Sequence, residues 1–348
     1  MPRYYTRVCN FHYGSASEAL IKNKKALALH GNNKISFDEI EIISRSNRKK
    51  IPINKIHYLP NNLIKKVQLD LEKITKKKNF YSLSFNSIPN IMGILNITPD
   101  SFSDGGKFNK KYLAEKQMKY LFKSGANLVD IGGESTRPGS KAVSSRVEWG
   151  RVEKILKKID KEKFISLDTR KSEIMEKGIK LGVKLINDVS GLSFDLNSIN
   201  ILKKYKTPFV LQHSQGNPET MQKNPKYKNV ILDIYDFFEE KIKFLRKKGI
   251  KHNNIILDPG IGFGKNLKHN ITIIKNISIY HSLGLPILLG VSRKKFIKDL
   301  SKNNDSFSRV GGTISSNIFA MMQGVQMLRV HDVNEINQSI KVFRELIK

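Results

Sequence analysis

The sequence is poor in cysteine, because Cys9 is the only one among its 348 residues. A single cysteine excludes an intramolecular disulfide, argues against a zinc site built from several cysteines, and is typical of a reducing compartment. The chain also lacks any apolar run near the roughly 20 residues that span a bilayer, and residues 1–7 have no apolar core of a secretory signal. We therefore expect a cytoplasmic globular protein without membrane partners.

Acidic residues are scarce as well, with 31 Asp and Glu against 62 Lys and Arg, for a net charge of +31. Such an excess is one mark of a nucleic-acid-binding protein. Residues 1–88 contribute +11, from 17 basic and 6 acidic residues, and the other 260 contribute +20. Because the lysines are spread along the whole chain and form no single stripe, we expect no nucleic-acid partner. The charge instead favours an anionic small substrate.

The first 87 residues differ in pattern from the rest of the chain. Leu27–Leu29 and Ile40–Ile43 are short apolar runs, and Leu63–Ile74 has helical spacing of its apolar residues. The lysine-rich stretch Thr75–Ser87 that follows is typical of a linker. These features predict a small α/β extension over residues 1–87, and packing or oligomerisation is the simplest role for it.

Residues 88–345 repeat one arrangement, in which a short apolar run is followed by polar or glycine residues and then by an amphipathic stretch. Strands that alternate with helices in this way pair in parallel through right-handed crossovers. Eight units in this length predict a (β/α)₈ barrel, with an open doubly wound sheet as the alternative. The runs are Ile91–Leu95, Leu128–Ile131, Phe164–Leu167, Lys184–Ile186, Thr207–Leu211, Asn254–Leu257, Pro286–Val291 and Gln326–Val330.

Polar residues follow each of the eight apolar runs, and the segment 96–106 after the first run is the densest. In parallel barrels the carboxyl ends of the strands carry the functional site. We therefore expect these residues to meet at one rim. The clusters are Asn96, 132–139, Asp168, Asn187, 212–216, 258–265, 292–294 and 329–332.

Two sets of these residues differ in chemistry. Carboxylates and an amide can accept paired hydrogen bonds from the amino-amidine edge of a flat heterocycle. For an isolated aspartate, however, capping a helix is the simpler interpretation. The heterocycle set is Asp168, Asn187, Asp258 and Lys294.

The second set is suited to phosphate, because arginine binds phosphate oxygens through a bidentate fork. A lone histidine is more often structural, but His331 lies two residues after Arg329, which places both side chains on one face of a strand end. The phosphate set is Asn96, Arg137, Arg293, Arg329 and His331. No nucleophile elbow, Walker A loop or dinucleotide fingerprint is present, so binding and charge neutralisation are expected rather than covalent catalysis.

Eight segments in the order of this chain resemble those of the dihydropteroate synthase family, the folate-pathway transferases inhibited by sulfonamides. The resemblance covers residues 88–345. It implies a pterin-binding (β/α)₈ barrel that condenses 6-hydroxymethyl-7,8-dihydropterin pyrophosphate with 4-aminobenzoate to give dihydropteroate and pyrophosphate. The segments are IMGILNITPDSFSDGG, DIGGESTRPGS, SLDTRK, INDVSG, QGNPETMQ, ILDPGIGFGK, LLGVSRKKFI and VQMLRVHDV.

The resemblance also implies roles for individual residues, a Mg²⁺ cofactor and a homodimer. The pterin pocket would be Asp168, Asn187, Asp258 and Lys294, and the diphosphate contacts Thr136, Arg329 and His331. Asn96 would bind Mg²⁺ and pyrophosphate. Phe102, Pro138 and Ser292 would line the aminobenzoate site, and Asp104 would stabilise the cationic intermediate. Catalysis would rest on Asn96, Asp104, Lys294, Arg329 and His331.

The chain departs from the family pattern after the fifth run. Family members usually read close to Leu-Met-His-Met there, whereas this chain has Gln212 and Ser214 around His213. The loss of both methionines removes soft apolar packing beside the pterin, so an altered pterin affinity is expected.

Two alternative functions follow from the sequence. A pterin-binding methyltransferase barrel would share the aspartate and asparagine pocket, but its methyl donor has no diphosphate for Arg329 and His331 to neutralise. A nucleic-acid-binding protein is suggested by charge alone.

Overall fold

The computed structural model describes residues 3–77, 79–80, 83–84, 89–98, 110–135, 140–216 and 224–347. The N-terminal part contains a four-stranded sheet and two helices. Its elements are β1 (Tyr5–Tyr13), α1 (Gly14–Lys22), β2 (Leu27–Leu29), β3 (Asn32–Ile43), β4 (Arg48–Pro52), a 3₁₀ helix (Ile53–Tyr58) and α2 (Asn61–Thr75). A short ladder of β5 (Asn79–Phe80) and β6 (Leu83–Ser84) lies within the predicted linker.

The long strand β3 organises the N-terminal sheet. It pairs antiparallel with β1 along one edge, from Tyr5 opposite Ile43, and with β2 and β4 along the other. Phe37 and Ile40 are fully buried, while Arg48 of the edge strand β4 is exposed. A charged edge strand discourages pairing with other chains. The predicted α/β character of this segment is confirmed.

The rest of the chain alternates strands with helices. The strands are β7 (Asn90–Asn96), β8 (Leu128–Gly132), β9 (Ile165–Asp168), β10 (Leu185–Asp188), β11 (Phe209–Gln212), β12 (Ile255–Asp258), β13 (Leu288–Leu289) and β14 (Met327–Val330). The helices are α3 (Lys110–Lys123), α4 (Ser145–Leu156), α5 (Ser172–Lys180), α6 (Ser198–Tyr205), α7 (Val230–Lys247), α8 (Leu267–Lys275), α9 (Lys295–Ser301), α10 (Val310–Met321) and α11 (Val333–Leu346), with a 3₁₀ helix at Ile277–Leu283 between α8 and β13.

These eight strands form a closed parallel barrel. The hydrogen-bonded order runs from β12 through β11, β10, β9, β8, β7 and β14 to β13. A parallel bridge between Leu257 and Ile287 joins the two ends, and the Leu257 amide donates to Pro286 O at 2.9 Å. The predicted (β/α)₈ barrel is confirmed, and the open sheet is excluded.

The strand register brings the predicted polar residues to one level of the barrel. Asn96 pairs with Gly132, Gly132 with Asp168, and Asp168 with Asn187, across four successive strands. Gln212 pairs with Asp258 on the next two. All of these positions lie at the carboxyl ends of their strands, so the functional rim follows directly from the pairing.

The opposite end of the barrel is covered by the N-terminal extension. One apolar side chain near the start of each barrel strand belongs to the same buried cluster as Val8, Leu29, Phe37 and Ile40 of the extension. These barrel residues are Met92, Leu128, Phe164, Leu185, Val210, Ile256, Leu288 and Met327. The extension therefore forms a floor beneath the barrel.

Polar contacts at the edge of this floor join the extension to α7. The Tyr5 ring meets Tyr235 edge to face with centroids 5.1 Å apart, and its hydroxyl donates to Asp236 at 2.8 Å. Arg45 donates to Asp233 at 2.7 Å and to Asp236 at 2.8 Å. Burial, reinforced by Asp236, raises the pKa of Tyr5 to about 12. These contacts fix the orientation of an otherwise apolar interface.

We expect Leu29→Ala to lower the free energy of unfolding by about 2–5 kcal/mol, because a fully buried leucine leaves a cavity. Leu29 Cδ2 lies 2.1 Å from the point where a Cβ on Gly324 would stand, so the two residues interlock across the floor. Urea denaturation followed by circular dichroism measures the loss. Leu69→Ala on α2 is the control, since Leu69 is 56% exposed. Equal effects of the two substitutions would contradict the interlocked floor.

Candidate active site

The rim of the barrel gathers most of the residues that the sequence analysis singled out. Asn96, Asp168 and Asp258 end their strands, and Asn187 is the last residue but one of β10. Ser292 and Lys294 follow β13, Arg329 is near the end of β14 and His331 follows it. Phe102, Asp104, Thr136, Arg137 and Pro138 lie outside the described residues.

Arg329 is the centre of the site. Its Nε donates to Asp130 Oδ2 at 2.7 Å and its Nη2 to Asp168 Oδ2 at 2.8 Å, so one guanidinium bridges two carboxylates. Asn187 Nδ2 donates to the same Asp130 oxygen at 2.9 Å. Charge-assisted bonds of this kind are the strong ones in proteins. The network links four strands, β8, β9, β10 and β14.

Asp130 is a central residue to which the sequence analysis assigned no role. It is fully buried in the middle of β8, between Val129 and Ile131. A charged residue inside an otherwise apolar strand is the signal that could have identified it, because aspartate is almost never fully buried without a partner. Its partners are Arg329 and Asn187, and it holds both of them at the rim.

Three buried oxygens in this network accept no hydrogen bond from the described residues. They are Asp130 Oδ1, Asp168 Oδ1 and Asn187 Oδ1. Buried polar atoms without partners are rare in native structures and each one calls for an explanation, such as a ligand. Burial raises the pKa of Asp168 to about 8, with Arg329 opposing the rise and Asp130 adding to it. A bound molecule with several N–H groups would satisfy these oxygens.

Asp258 is oriented by the loop that follows its strand. Its Oδ1 accepts a hydrogen bond from the Gly260 amide at 2.7 Å, and burial raises the pKa of its carboxyl, with Lys294 opposing. Gly260 has φ +67°, and a Cβ there would stand 2.0 Å from His213 O. Only glycine fits this close approach. Asp258 and Asp168 do not cap the following helices, because Lys171 and Asn266 occupy those N-cap positions.

Lys294 reaches back from β13 to the same loop. Its Nζ donates to Ile261 O and lies 4.7 Å from the centroid of the Phe263 ring. Desolvation lowers the pKa of Lys294 to about 8, opposed by Asp258 and assisted by Arg329. A Cβ on Gly290 would lie 3.9 Å from both Lys294 Nζ and Arg329 Cβ, so the absence of a side chain at Gly290 leaves room between the two cations.

The phosphate set is only partly assembled. Ser292 Oγ contacts His331 Nδ1 at 3.0 Å and accepts from the His331 amide at 3.2 Å. Arg293, by contrast, has φ +59° and donates through Nε and Nη2 to Asp332. Its guanidinium thus serves an ion pair at the loop instead of joining Arg329 in the described structure.

Asn96 is the rim residue that the resemblance assigns to Mg²⁺. Asn96 Oδ1 lies 3.6 Å from the point where a Cβ on Gly132 would stand, and Asp168 Cβ lies 3.4 Å from that point. A Cβ on Gly132 would thus touch both residues, so Asn96 and Asp168 stand on either side of Gly132. Within the described ranges no group of three or more His, Cys, Asp or Glu residues could hold a metal by itself. A single amide oxygen fits a Mg²⁺ ion that takes its other ligands from water and phosphate.

A buried ion network surrounds Glu134, which follows β8. Glu134 accepts from Arg170 Nε at 3.0 Å and from the Val143 amide at 2.9 Å. Lys171 contacts Glu134 at 3.2 Å and also pairs with Glu148 on α4. Residues 134 and 143 are thereby held together.

The polar residue Gln212, at the end of β11, is accommodated inside the protein. Gln212 is buried and its Nε2 donates to Val189 O at 3.3 Å, so it joins two neighbouring strand ends. The expected change in pterin affinity stays a prediction.

We expect Lys294→Met to be more stable than the wild type at pH 7. If the whole pKa shift acts on folding, its free energy of unfolding is higher by on the order of 3 kcal/mol. Desolvation places the pKa of Lys294 near 8 in the folded state, against 10.5 in the unfolded chain. The unfolded chain therefore holds more protons between those values, and wild-type stability rises relative to the variant as the pH increases from 8 to 10.5.

Urea denaturation of both proteins at pH 7 and pH 10 measures this difference. Subtracting the free energy of unfolding of the variant from that of the wild type at each pH removes the effects of alkaline pH that the two proteins share. Lys295→Met is the control, because Lys295 is exposed. A stability difference that stayed constant with pH would contradict the assigned burial of the Lys294 ammonium.

Comparisons with known proteins give matches over most of the chain. The model of the family described as pterin binding enzyme matches residues 92–331. The dihydropteroate synthase of Escherichia coli (strain K12) is 41% identical over 258 residues, which cover 74% of this chain and 91% of that protein. That of Clostridium beijerinckii is 43% identical over 256 residues, covering 72% and 92%.

Solved structures match as well. A dihydropteroate synthase from Clostridium difficile with pteroic acid has a TM-score of 0.69 at 39% identity and covers 74% of this chain and 96% of its own. The Xanthomonas albilineans enzyme with 4-aminobenzoic acid has a TM-score of 0.71 at 34% identity, covering 76% and 94%. The chain therefore belongs to the pterin-binding enzyme family, among the dihydropteroate synthases.

Proposed function

We propose that this protein condenses 6-hydroxymethyl-7,8-dihydropterin pyrophosphate with 4-aminobenzoate and releases pyrophosphate. The observation that carries the proposal is the group of buried oxygens on Asp130, Asp168 and Asn187 that accept no hydrogen bond from the described residues. This group of oxygens lies beside the cations Arg329 and Lys294. Hydrogen-bond acceptors for a heterocycle are therefore next to positive charges that can neutralise a leaving group.

The pterin ring is held by the carboxylates and the amide. Asp168 and Asp258 accept N–H groups of its amino-pyrimidine edge, and Asn187 offers its Oδ1. Lys294 donates to a ring acceptor from the opposite side. Because burial raises the pKa of both aspartates, a ligand that brings donors restores the ionised carboxylates that face the developing cation.

The diphosphate lies toward Asn96, Thr136, Arg329 and His331. The C–O bond between the pterin methylene and the diphosphate breaks, and the electron pair leaves with the diphosphate, whose charge Arg329 and His331 stabilise. Asn96 would hold a Mg²⁺ ion, which when bound supplies further neutralisation of the diphosphate oxygens.

4-Aminobenzoate then attacks the methylene carbon through its amino nitrogen. A neutral arylamine is already nucleophilic, so the new C–N bond forms without a strong base and the nitrogen loses its proton afterwards. Phe102, Pro138 and Ser292 position this second substrate, and Asp104 faces the cation. Ser292 is fixed for this role by its contacts with His331.

The extension of residues 1–87 is proposed to be the structural floor of the barrel and to add no second activity. Its apolar cluster with the eight barrel strands supports this role. A cytoplasmic location is consistent with the single cysteine, Cys9, which is buried and free. Within the described residues, no helix is both long and apolar enough to cross a membrane.

A homodimer is proposed from the outer face of α10. This helix, Val310–Met321, contains no charged residue, although 27% of the chain is charged. Phe319 is 45% exposed and the adjoining Met322 is 44% exposed. An uncharged helix with exposed apolar side chains on the outside of a barrel is suited to pairing with a second copy of itself.

The purified protein is expected to release pyrophosphate only when Mg²⁺ and both substrates are present, in a coupled pyrophosphate assay. Lys294→Ala and Asp258→Asn should each reduce kcat/KM by at least a hundredfold, since each loses a charged contact to the pterin. Lys268→Ala on the exposed face of α8 is the control. Release without 4-aminobenzoate at the same rate, or unchanged kinetics in both variants, would refute the proposal.

Phe319→Lys is expected to shift the sedimenting species from a dimer to a single chain, because two lysines would meet across the twofold axis. Phe244→Lys on α7 is the matched control, since Phe244 is 44% exposed and belongs to another face. Sedimentation velocity measures both. Dissociation by both variants, or by neither, would argue against α10 as the interface.

A further inference from the structure

Lys265 is a buried lysine that follows β12 and that the proposed reaction does not use. It is 2% exposed, and none of the ion pairs formed by the described residues includes it. Its Nζ lies 2.9 Å from Phe263 O, 3.0 Å from His213 Nδ1 and 3.3 Å from His213 O. Burial lowers the pKa of Lys265 well below its usual value, opposed by Asp258, so placing a lysine here without an ion pair is costly and calls for a reason.

The three partners of Lys265 match the three N–H donors of an ammonium group. Two of them are carbonyl oxygens, and the third is a ring nitrogen that accepts when the imidazole is neutral. Burial, assisted by Lys265, lowers the pKa of His213 well below its usual value, which keeps that ring neutral. Lys265 thus ties the segment after β11 to the loop after β12.

The loop after β12 needs such a tie because it is built from glycine. Gly260, Gly262 and Gly264 have φ values of +67°, +83° and +62°. Cβ atoms on Gly260 and Gly264 would stand 2.0 Å from His213 O and 2.4 Å from Gln215 O, so the two backbones lie against each other without side chains between them. A glycine residue has the greatest conformational freedom in the unfolded chain, and it has no side chain whose packing would restrain its backbone in the folded protein.

This same loop orients two groups of the pterin pocket. The Gly260 amide donates to Asp258 Oδ1 at 2.7 Å. Ile261 O accepts from Lys294 Nζ, and the Phe263 ring lies beneath that ammonium. A shift of the loop would therefore move a hydrogen-bond donor away from Asp258 and two contacts away from Lys294.

We propose that Lys265 is a positioning residue for the pterin pocket, which fixes the loop of residues 259–264 against His213 and so sets the orientation of Asp258 and Lys294. This inference rests on the proposed pterin-binding role of those two residues. Lys265 acts only through them and contacts no reacting atom.

The test is equilibrium binding of a pterin, followed by its own fluorescence, together with steady-state kinetics of the full-length enzyme. Lys265→Met keeps the length of the side chain but removes all three donors. We expect pterin to bind at least tenfold more weakly, while the KM for 4-aminobenzoate changes less than twofold. Lys268→Met, three residues along the chain and exposed, should change neither.

A general loss of folding would raise both the Kd for the pterin and the KM for 4-aminobenzoate, and it would lower the melting temperature. Equal effects on the two substrates would therefore overturn the proposal. Unchanged pterin binding would overturn it as well. If Lys265→Met does not fold, Tyr227→Phe provides a second route. The Tyr227 hydroxyl donates to Gly264 O at 2.9 Å, so its removal should weaken pterin binding two- to threefold without raising the KM for 4-aminobenzoate. Tyr205→Phe, which loses a surface bond to Glu176, is its control.

Lys294→Ala separates this inference from the proposed function. If Lys294→Ala also leaves pterin binding unchanged, the pterin pocket itself is misassigned. If Lys294→Ala weakens binding and Lys265→Met does not, only the role of Lys265 fails.

Discussion

The bridge that Arg329 makes between Asp130 and Asp168 is the interaction on which the rest of the site depends. Two buried carboxylates so close together would repel each other, and desolvation would protonate them. The guanidinium satisfies one oxygen of each, at 2.7 and 2.8 Å, and leaves the other oxygen of each open. The positive charge of the guanidinium is therefore held in place before any ligand arrives, and charge pre-organised in this way is the condition for electrostatic stabilisation of a transition state.

Room for the ligand comes from positions where a side chain is absent. A Cβ on Gly132 would touch Asn96 and Asp168, and one on Gly290 would touch Arg329 and Lys294, so a larger side chain at either position would lie between those functional groups. Gly260 serves differently, because its missing side chain lets the backbone approach His213 O and present an amide to Asp258. The glycine-rich sequence around the rim therefore encodes both the space and the backbone donors, and larger residues must supply the rigidity that glycine lacks.

The barrel could be predicted from the sequence because parallel strands buried on both faces form apolar runs, and polar residues mark the ends of these runs. All eight strands and the rim residues on them were predictable. Asp130 was missed because it lies inside a run, where the apolar pattern hides a single charge. The position of the Arg293 side chain could not be predicted either, because its pairing with Asp332 depends on a left-handed backbone conformation that no local pattern indicated. A packing role was expected for residues 1–87, but their position beneath the barrel could not be predicted, because it depends on contacts between residues far apart in sequence, such as Tyr5 and Asp236, which are 231 positions apart.

The floor and the rim are linked through stability. Carboxylates and lysines that are buried for function lower the free energy of unfolding, because their desolvation exceeds what their partners return. The opposite end of the barrel has no such demand, and there the extension adds apolar burial from Val8, Leu29, Phe37 and Ile40 to the eight strand starts. The free energy lost by burying charged groups at the carboxyl ends of the strands is thus offset by apolar burial at the amino ends of the same strands. One barrel therefore carries a charged site at one end and an apolar cluster at the other.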